Sequence, residues 1–127
     1  MSHAQEGMSA TIRVRIGHEQ AHYAGNLVDG AHVLKLFGDV ATELCIRGDG
    51  EEGLFRAYSK IEFLAPVRGG DYLEVAGKIT RVGKSSRAME FIAHKVIQAD
   101  AEHVGRATIL DPPVLVCKAT GTCVVGR

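Results

Sequence analysis

One stretch of this 127-residue chain carries a sustained helical period, and it constrains everything else. Between Ala31 and Ile46, the residues Val33, Leu36, Phe37, Val40, Ala41, Leu44 and Cys45 recur at three- and four-residue steps and form one apolar stripe. Asp29-Gly30 stands before the stripe as a start signal, and Gly48 follows it. The run Arg47-Gly48-Asp49-Gly50-Glu51-Glu52-Gly53 reads as the turn cluster that stops the helix. A lone apolar stripe must be buried against something, and the rest of the chain offers only strands.

Those strands show as alternation with a period of two. Ile12, Val14 and Ile16 alternate with Arg13 and Arg15. From Leu54 to Leu64, Phe55, Ala57, Ser59, Ile61 and Phe63 share one face and Arg56, Tyr58, Lys60 and Glu62 the other. Leu73 to Ile79, Met89 to Ile97 and Val114 to Val125 supply three more strands. Gly17 to Gly30 keeps no period and reads as an ordered loop crowded with polar groups. Ala65 to Asp71 turns the chain, Gly83 to Arg87 is a polar hairpin connection, and Asp100 to Pro113 is loop-like. Residues 1–9 are polar and expected to fray. The order is strand, loop, helix, then four strands. The economical solution is an α+β domain, residues 1–127, whose long antiparallel sheet curls around one central helix. One helix cannot cover five strands, and exposed edges need protection, so at least a homodimer is expected.

Composition excludes several classes of function. Fifteen Lys and Arg balance fifteen Asp and Glu, leaving no broad basic field for nucleic acid or an anionic membrane. No apolar run approaches the ~18–20 residues of a membrane span. The first residues lack the basic-then-apolar order of a secretory signal. Cys45, Cys117 and Cys123 are odd in number and lack metal-ligand spacing, so they read as buried thiols in a reducing, cytoplasmic setting with no metal. No segment matches a phosphate-binding or dinucleotide glycine motif.

Three stretches taken together resemble a known family. They are His22-Tyr23-Ala24-Gly25-Asn26-Leu27-Val28-Asp29-Gly30-Ala31, Leu36-Phe37-Gly38-Asp39-Val40-Ala41-Thr42-Glu43-Leu44, and Ile61-Glu62-Phe63-Leu64-Ala65-Pro66-Val67. With Asp111-Pro112-Pro113-Val114 and Ala119-Thr120-Gly121-Thr122 they resemble the hotdog β-aminoacyl-CoA ammonia-lyases, over Ser9 to Val125. The likeness is nearest to the branch acting on 3-aminobutyryl-CoA in lysine fermentation, then to that acting on β-alanyl-CoA. Phe63 to Val67 and Gly70-Asp71 are common to hotdog acyl-CoA enzymes. The first two stretches are the more specific. The resemblance implies the hotdog fold, reversible loss of ammonia from a 3-aminoacyl-CoA to give a 2-enoyl-CoA, and a homodimer or higher homo-oligomer. CoA enters as part of the substrate, and no separate cofactor is implied.

Such an elimination needs a base for the proton beside the thioester carbonyl, a group for the leaving amine, and donors for the enolate oxygen. Gly30 and Ala31 suit the last task, because free N–H groups and the helix dipole gather at a helix start. Asp29-Gly30 alone equally describes a plain helix start. Asp39 and Glu43 stand four apart on one helix face with His32 and Lys35, opposite the apolar stripe. That spacing also describes a solvated face. Two carboxylates in a closed cleft resist double ionisation, which leaves one base and one acid. Glu43 as base with Asp39 as its partner is the expectation, with the roles interchangeable on spacing alone. Asp39 lies ~13 Å along the axis from Gly30, so a composite site is expected, in which an antiparallel second helix brings the carboxylates of a partner chain.

The loop adds Asn26 as a donor to the thioester oxygen or an acceptor from the ammonium. His22 and Tyr23 are expected to line the pocket, and Asp29 to meet the amine or cap the helix. Lys84, Ser85, Ser86 and Arg87 sit where hotdog enzymes meet CoA and offer hydroxyls and a guanidinium to its phosphates. Lys60, Arg68 and Arg106 are weaker candidates for that task. His18, His94 and His103 are read as structural. The rivals are an acyl-CoA thioesterase, a hydratase and a non-catalytic acyl-CoA binder. The thioesterase branch carries its carboxylate two turns past the helix-start glycines, where this chain has Phe37.

Overall fold

The computed structural model describes residues 2–126. Strand β1 (Ser9–Arg15) leads into two short 3-10 turns, His18–Gln20 and Ala24–Asn26, and then into helix α1 (Gly30–Asp49). Four strands follow: β2 (Leu54–Phe63), β3 (Tyr72–Val82), β4 (Ser86–Ala99) and β5 (Ala107–Val124). They form one five-stranded sheet in the order β1-β3-β4-β5-β2, with every neighbouring pair antiparallel. The expected α+β arrangement of a long sheet around one helix is the one observed.

Packing follows from the stripe. Val33, Leu36, Phe37, Val40, Ala41, Leu44 and Cys45 are all buried, and they meet the inward residues Leu73, Val75, Ile79, Met89, Phe91, Ala93, Cys117 and Ala119. Phe37 stacks on Phe91 with ring centroids 5.3 Å apart. Opposite Val40 the sheet carries Gly77, where an added Cβ would stand 2.8 Å from a Val40 methyl, so helix and sheet close to a distance no side chain would permit. The three cysteines are free and buried.

Several details differ from expectation. The helix runs past Ile46 to Asp49 and ends at Gly50, which adopts φ +70° and donates its N–H to Ile46 O. Gly48 is therefore interior; an added Cβ there would lie 3.0 Å from the Ala4 Cβ. The reason is the N-terminal segment, which is tied down rather than frayed. His3 N–H donates to Gly48 O, Gly7 N–H to Ile79 O, and Ile79 N–H to Met8 O.

In β2 the strict alternation fails, because register shifts against β5 fall between Phe55 and Ala57 and between Tyr58 and Lys60. Phe55, Tyr58 and Ile61 turn toward the core, Tyr58 against expectation, while Ala57, Ser59 and Phe63 are exposed. Strand β5 starts at Ala107 rather than Val114: Ala107, Thr108 and Ile109 pair with Ala99, Gln98 and Ile97 of β4, and residues 107–109 are exposed, so no burial period marks them. Among the described residues no helix is long and apolar enough to cross a membrane.

Candidate functional site at the helix start

Asp29 holds the backbone conformation of a helix cap (φ −72°, ψ 155°), yet its carboxylate makes no capping bond. It turns instead to His22, whose Nε2 lies 3.1 Å from Asp29 Oδ2. That hydrogen bond holds the Asp29 carboxyl below its ordinary range. The N–H groups of Gly30 and Ala31 are thereby left without a side-chain cap, which is the state an oxyanion site requires. A Cβ at Gly30 would meet the ring of Phe63, an exposed side chain that lies against the helix start from the end of β2. The Tyr23 ring lies tilted against that of His22, with centroids 4.4 Å apart, and is half exposed.

Asn26 is built into the frame of this region. It occupies the left-handed region at φ +61°, its Nδ2 donates to Gly69 O at 3.1 Å, and its own carbonyl accepts the Gly69 N–H. Its carboxamide also meets His18 Nδ1 at 3.3 Å. His18 in turn covers Gly69, where an added Cβ would stand 2.8 Å from Nδ1. Val28 N–H donates to Val67 O at 2.8 Å, and Leu27 bridges Arg68. The helix start thus hangs from residues 67–69.

That loop is clamped by a group the sequence reading passed over. Asp71 is buried; Oδ2 accepts the Arg68 N–H and Oδ1 the Ala99 N–H, each at 2.8 Å, and Lys95 Nζ stands 3.2 Å from Oδ2. Asp71 and Lys95 are the structural residues missed, with Gly70-Asp71 the signal for them, whereas His18 holds the structural role expected of it.

Asp39 and Glu43 stand elsewhere, on the open flank of α1. Lys35 Nζ donates to Asp39 Oδ2 at 2.8 Å, and Arg47 Nε to Glu43 Oε2 at 2.7 Å. Their side chains are 50% and 34% exposed, and no bond joins one to the other. His32, in the first turn of α1, is half-buried. A single protomer therefore does not bring either carboxylate to the helix start. Phe37 is fully buried in the core.

The proposed CoA run is dispersed. Lys84 and Ser85 are exposed in the β3–β4 turn and Ser86 is half-buried, its carbonyl accepting the Gly83 N–H. Arg87 corrects the expectation for this run. It is buried, donates from Nε and the terminal nitrogens to both oxygens of Asp49 and to the Gly83 and Ser86 carbonyls, and has little left to offer a phosphate. The pair also lies at the far end of a 20-residue helix, roughly 30 Å from Gly30.

A concavity of about 640 Å³ runs as a trough across the other face of the sheet. It is lined by Thr11, Lys60, Lys78, Glu90, Ile92 and Lys118 among others; of the expected residues it touches only Lys60, a weaker candidate for CoA. No group of three His, Cys, Asp or Glu suited to a metal gathers among the described residues.

Comparison with known proteins gives consistent relatives. Residues 25–102 match the family model described as the thioesterase superfamily. The chain is 52% identical over 121 residues to the 3-aminobutyryl-CoA ammonia lyase of Acetoanaerobium sticklandii, covering 94% of this chain and 96% of that one. The solved β-alanyl-CoA:ammonia lyase of Clostridium propionicum superposes with a TM-score of 0.91 at 40% identity, covering 96% and 87% of the two chains. An acyl-CoA hydrolase of Staphylococcus aureus, solved with coenzyme A, superposes at 0.74 with 14% identity over 94% of this chain and 65% of that one; it shares the fold alone. The chain belongs to the hotdog proteins of the thioesterase superfamily, in the branch of the aminoacyl-CoA ammonia lyases.

Proposed function

We propose that this chain eliminates ammonia from a 3-aminoacyl-CoA, with 3-aminobutyryl-CoA the substrate, and gives crotonyl-CoA in a reversible reaction. The observation that carries the reading is the identity of 52% along nearly the whole length of a lyase of that name. β-Alanyl-CoA is the second reading, supported by the 40% identity to its lyase.

The thioester oxygen lies against the free N–H groups of Gly30 and Ala31, where the positive end of the helix dipole favours the enolate. The C2 proton passes to Glu43, with Asp39 as its partner. The C3–N bond then breaks with its electron pair leaving on nitrogen as ammonia, while the enolate electrons form the C2=C3 bond. His22 and Asp29, joined at 3.1 Å beside Gly30, face the substrate ammonium. Tyr23, His32 and Asn26 line or frame the pocket. Because Glu43 and Asp39 lie on the flank of α1, they come from the opposing protomer of a homodimer, and the site is shared. The acyl-CoA is the partner, and the lyase reaction calls for no further cofactor.

Mixing the protein with crotonyl-CoA and ammonia tests the reading. Loss of the enoyl absorbance with the thioester intact supports the lyase. Release of free thiol supports a thioesterase, and no change leaves a binder.

A further inference from the structure

Behind the loop that carries the helix start lies a second cavity, about 170 Å³, lined by Arg68, Asp71, Lys95, Gln98, Asp100 and Thr108, with Ala99 and Ala101. It is small, and its polar groups are unevenly engaged. Asp71 is fully occupied: it accepts two backbone N–H groups and stands beside Lys95. Asp100 accepts the N–H groups of Glu102 and His103, and its other oxygen meets the His103 imidazole. Gln98 Oε1 accepts from Lys95 Nζ at 3.3 Å.

The donors are another matter. The Arg68 guanidinium, half-buried at the cavity, makes no hydrogen bond or ion pair with any described residue. Lys95 Nζ, on a side chain only 4% exposed, has partners for two of its three protons. The Gln98 amide nitrogen and the Thr108 hydroxyl have no side-chain partner among the described residues either. A cavity whose acceptors are engaged and whose donors are free, with a guanidinium at its wall, matches a tetrahedral oxyanion.

We infer that this cavity binds a phosphate group of coenzyme A, with Arg68 as its principal ligand and Lys95, Gln98 and Thr108 completing the cradle. The inference rests on the acyl-CoA reading and replaces Arg87, whose guanidinium is committed to Asp49. Location supports it. Arg68 belongs to the loop from which Asn26, Leu27 and Val28 hang, so the cavity and the Gly30–Ala31 amides share one end of the sheet. The 84–87 turn closes the opposite end of β3, a strand of 11 residues spanning roughly 36 Å.

The test compares crotonyl-CoA, crotonyl-3′-dephospho-CoA and crotonyl-pantetheine as acceptors of ammonia in the wild type and in Arg68→Gln and Thr108→Val. The wild type prefers the CoA ester to the pantetheine ester in kcat/KM, and Arg68→Gln lowers that preference about tenfold, Thr108→Val by less. A loss seen with crotonyl-CoA alone assigns the 3′-phosphate. A loss shared with the dephospho ester assigns the pyrophosphate, and either supports the site. An unchanged preference, or an equal loss on all three esters, overturns it. Should none of the esters react, the lyase reading has failed, and calorimetric titration of CoA against pantetheine with the same variants decides the cavity by the same criterion.

Discussion

Arg87 grips Asp49 with two parallel hydrogen bonds, Nε to Oδ2 at 2.9 Å and a terminal nitrogen to Oδ1 at 2.8 Å, in a pair whose side chains are 4% and 7% exposed. The bond joins the last turn of α1 to the first residues of β4, and Ser2 adds a hydroxyl bond to the same carboxylate at 2.6 Å. Arg87→Ala leaves a buried carboxylate unpaired and is expected to destabilise the fold by roughly 3–5 kcal/mol. Chemical denaturation measures that loss. CoA affinity, measured by calorimetry on the folded fraction, is expected to stay at the wild-type value.

The same pair sets an acid limit. Arg87 holds the Asp49 carboxyl below its ordinary range. A depressed carboxyl contributes stability above its unfolded pKa of about 4, and that contribution is lost as pH falls through the folded value. Wild-type thermal stability should therefore drop below about pH 4, and Asp49→Asn should flatten that part of the profile.

An alkaline counterpart comes from Tyr58, which burial pushes up to about 12 and whose hydroxyl donates to Leu34 O at 3.2 Å. The unfolded phenol ionises near 10, so stability present below that pH is lost between about 10 and 12. Tyrosinate absorbance during base titration should show one phenol ionising together with unfolding. Tyr58→Phe should cost about 1 kcal/mol at neutral pH.

Glu43→Gln separates stability from activity. The Arg47–Glu43 pair is partly exposed and contributes only about 0.3–0.5 kcal/mol, so the melting curve should barely move. Deamination should fall by about 100-fold or more if Glu43 is the base. Wild-type turnover would remove Glu43 from the mechanism.

Mixed dimers test the shared site. Gly30→Val drives a side chain into Phe63 and disables the helix start, while Asp39→Asn disables the flank. Each homodimer should be nearly inactive, and exchanged chains should regain up to about a quarter of the activity, in the dimers holding one intact composite site. Absence of rescue, with exchange verified by mass spectrometry, would place both parts in one protomer.

What the sequence disclosed depended on how local the cause was. The stripe from Val33 to Cys45 was legible because a helix repeats its environment every turn, and all seven of its residues are buried. Asp29-Gly30 marked the helix start correctly for the same reason. The faces of β2 were not legible, since two register shifts against a strand some sixty residues later decide where Tyr58 points. Arg87 looked like a surface ligand because its partner Asp49 is 38 residues away. Asp39 and Glu43 were legible as a face of the helix, and both stand on its partly exposed flank.

Asp71 holds three donors from two separate stretches: Arg68 in the loop, and Lys95 and Ala99 of β4. Such a knot fixes spacing as well as position. One extra residue inserted between Arg68 and Asp71 would unhook the loop from the strand even if every side chain were retained, so this segment tolerates exchange of letters far better than a change in its count.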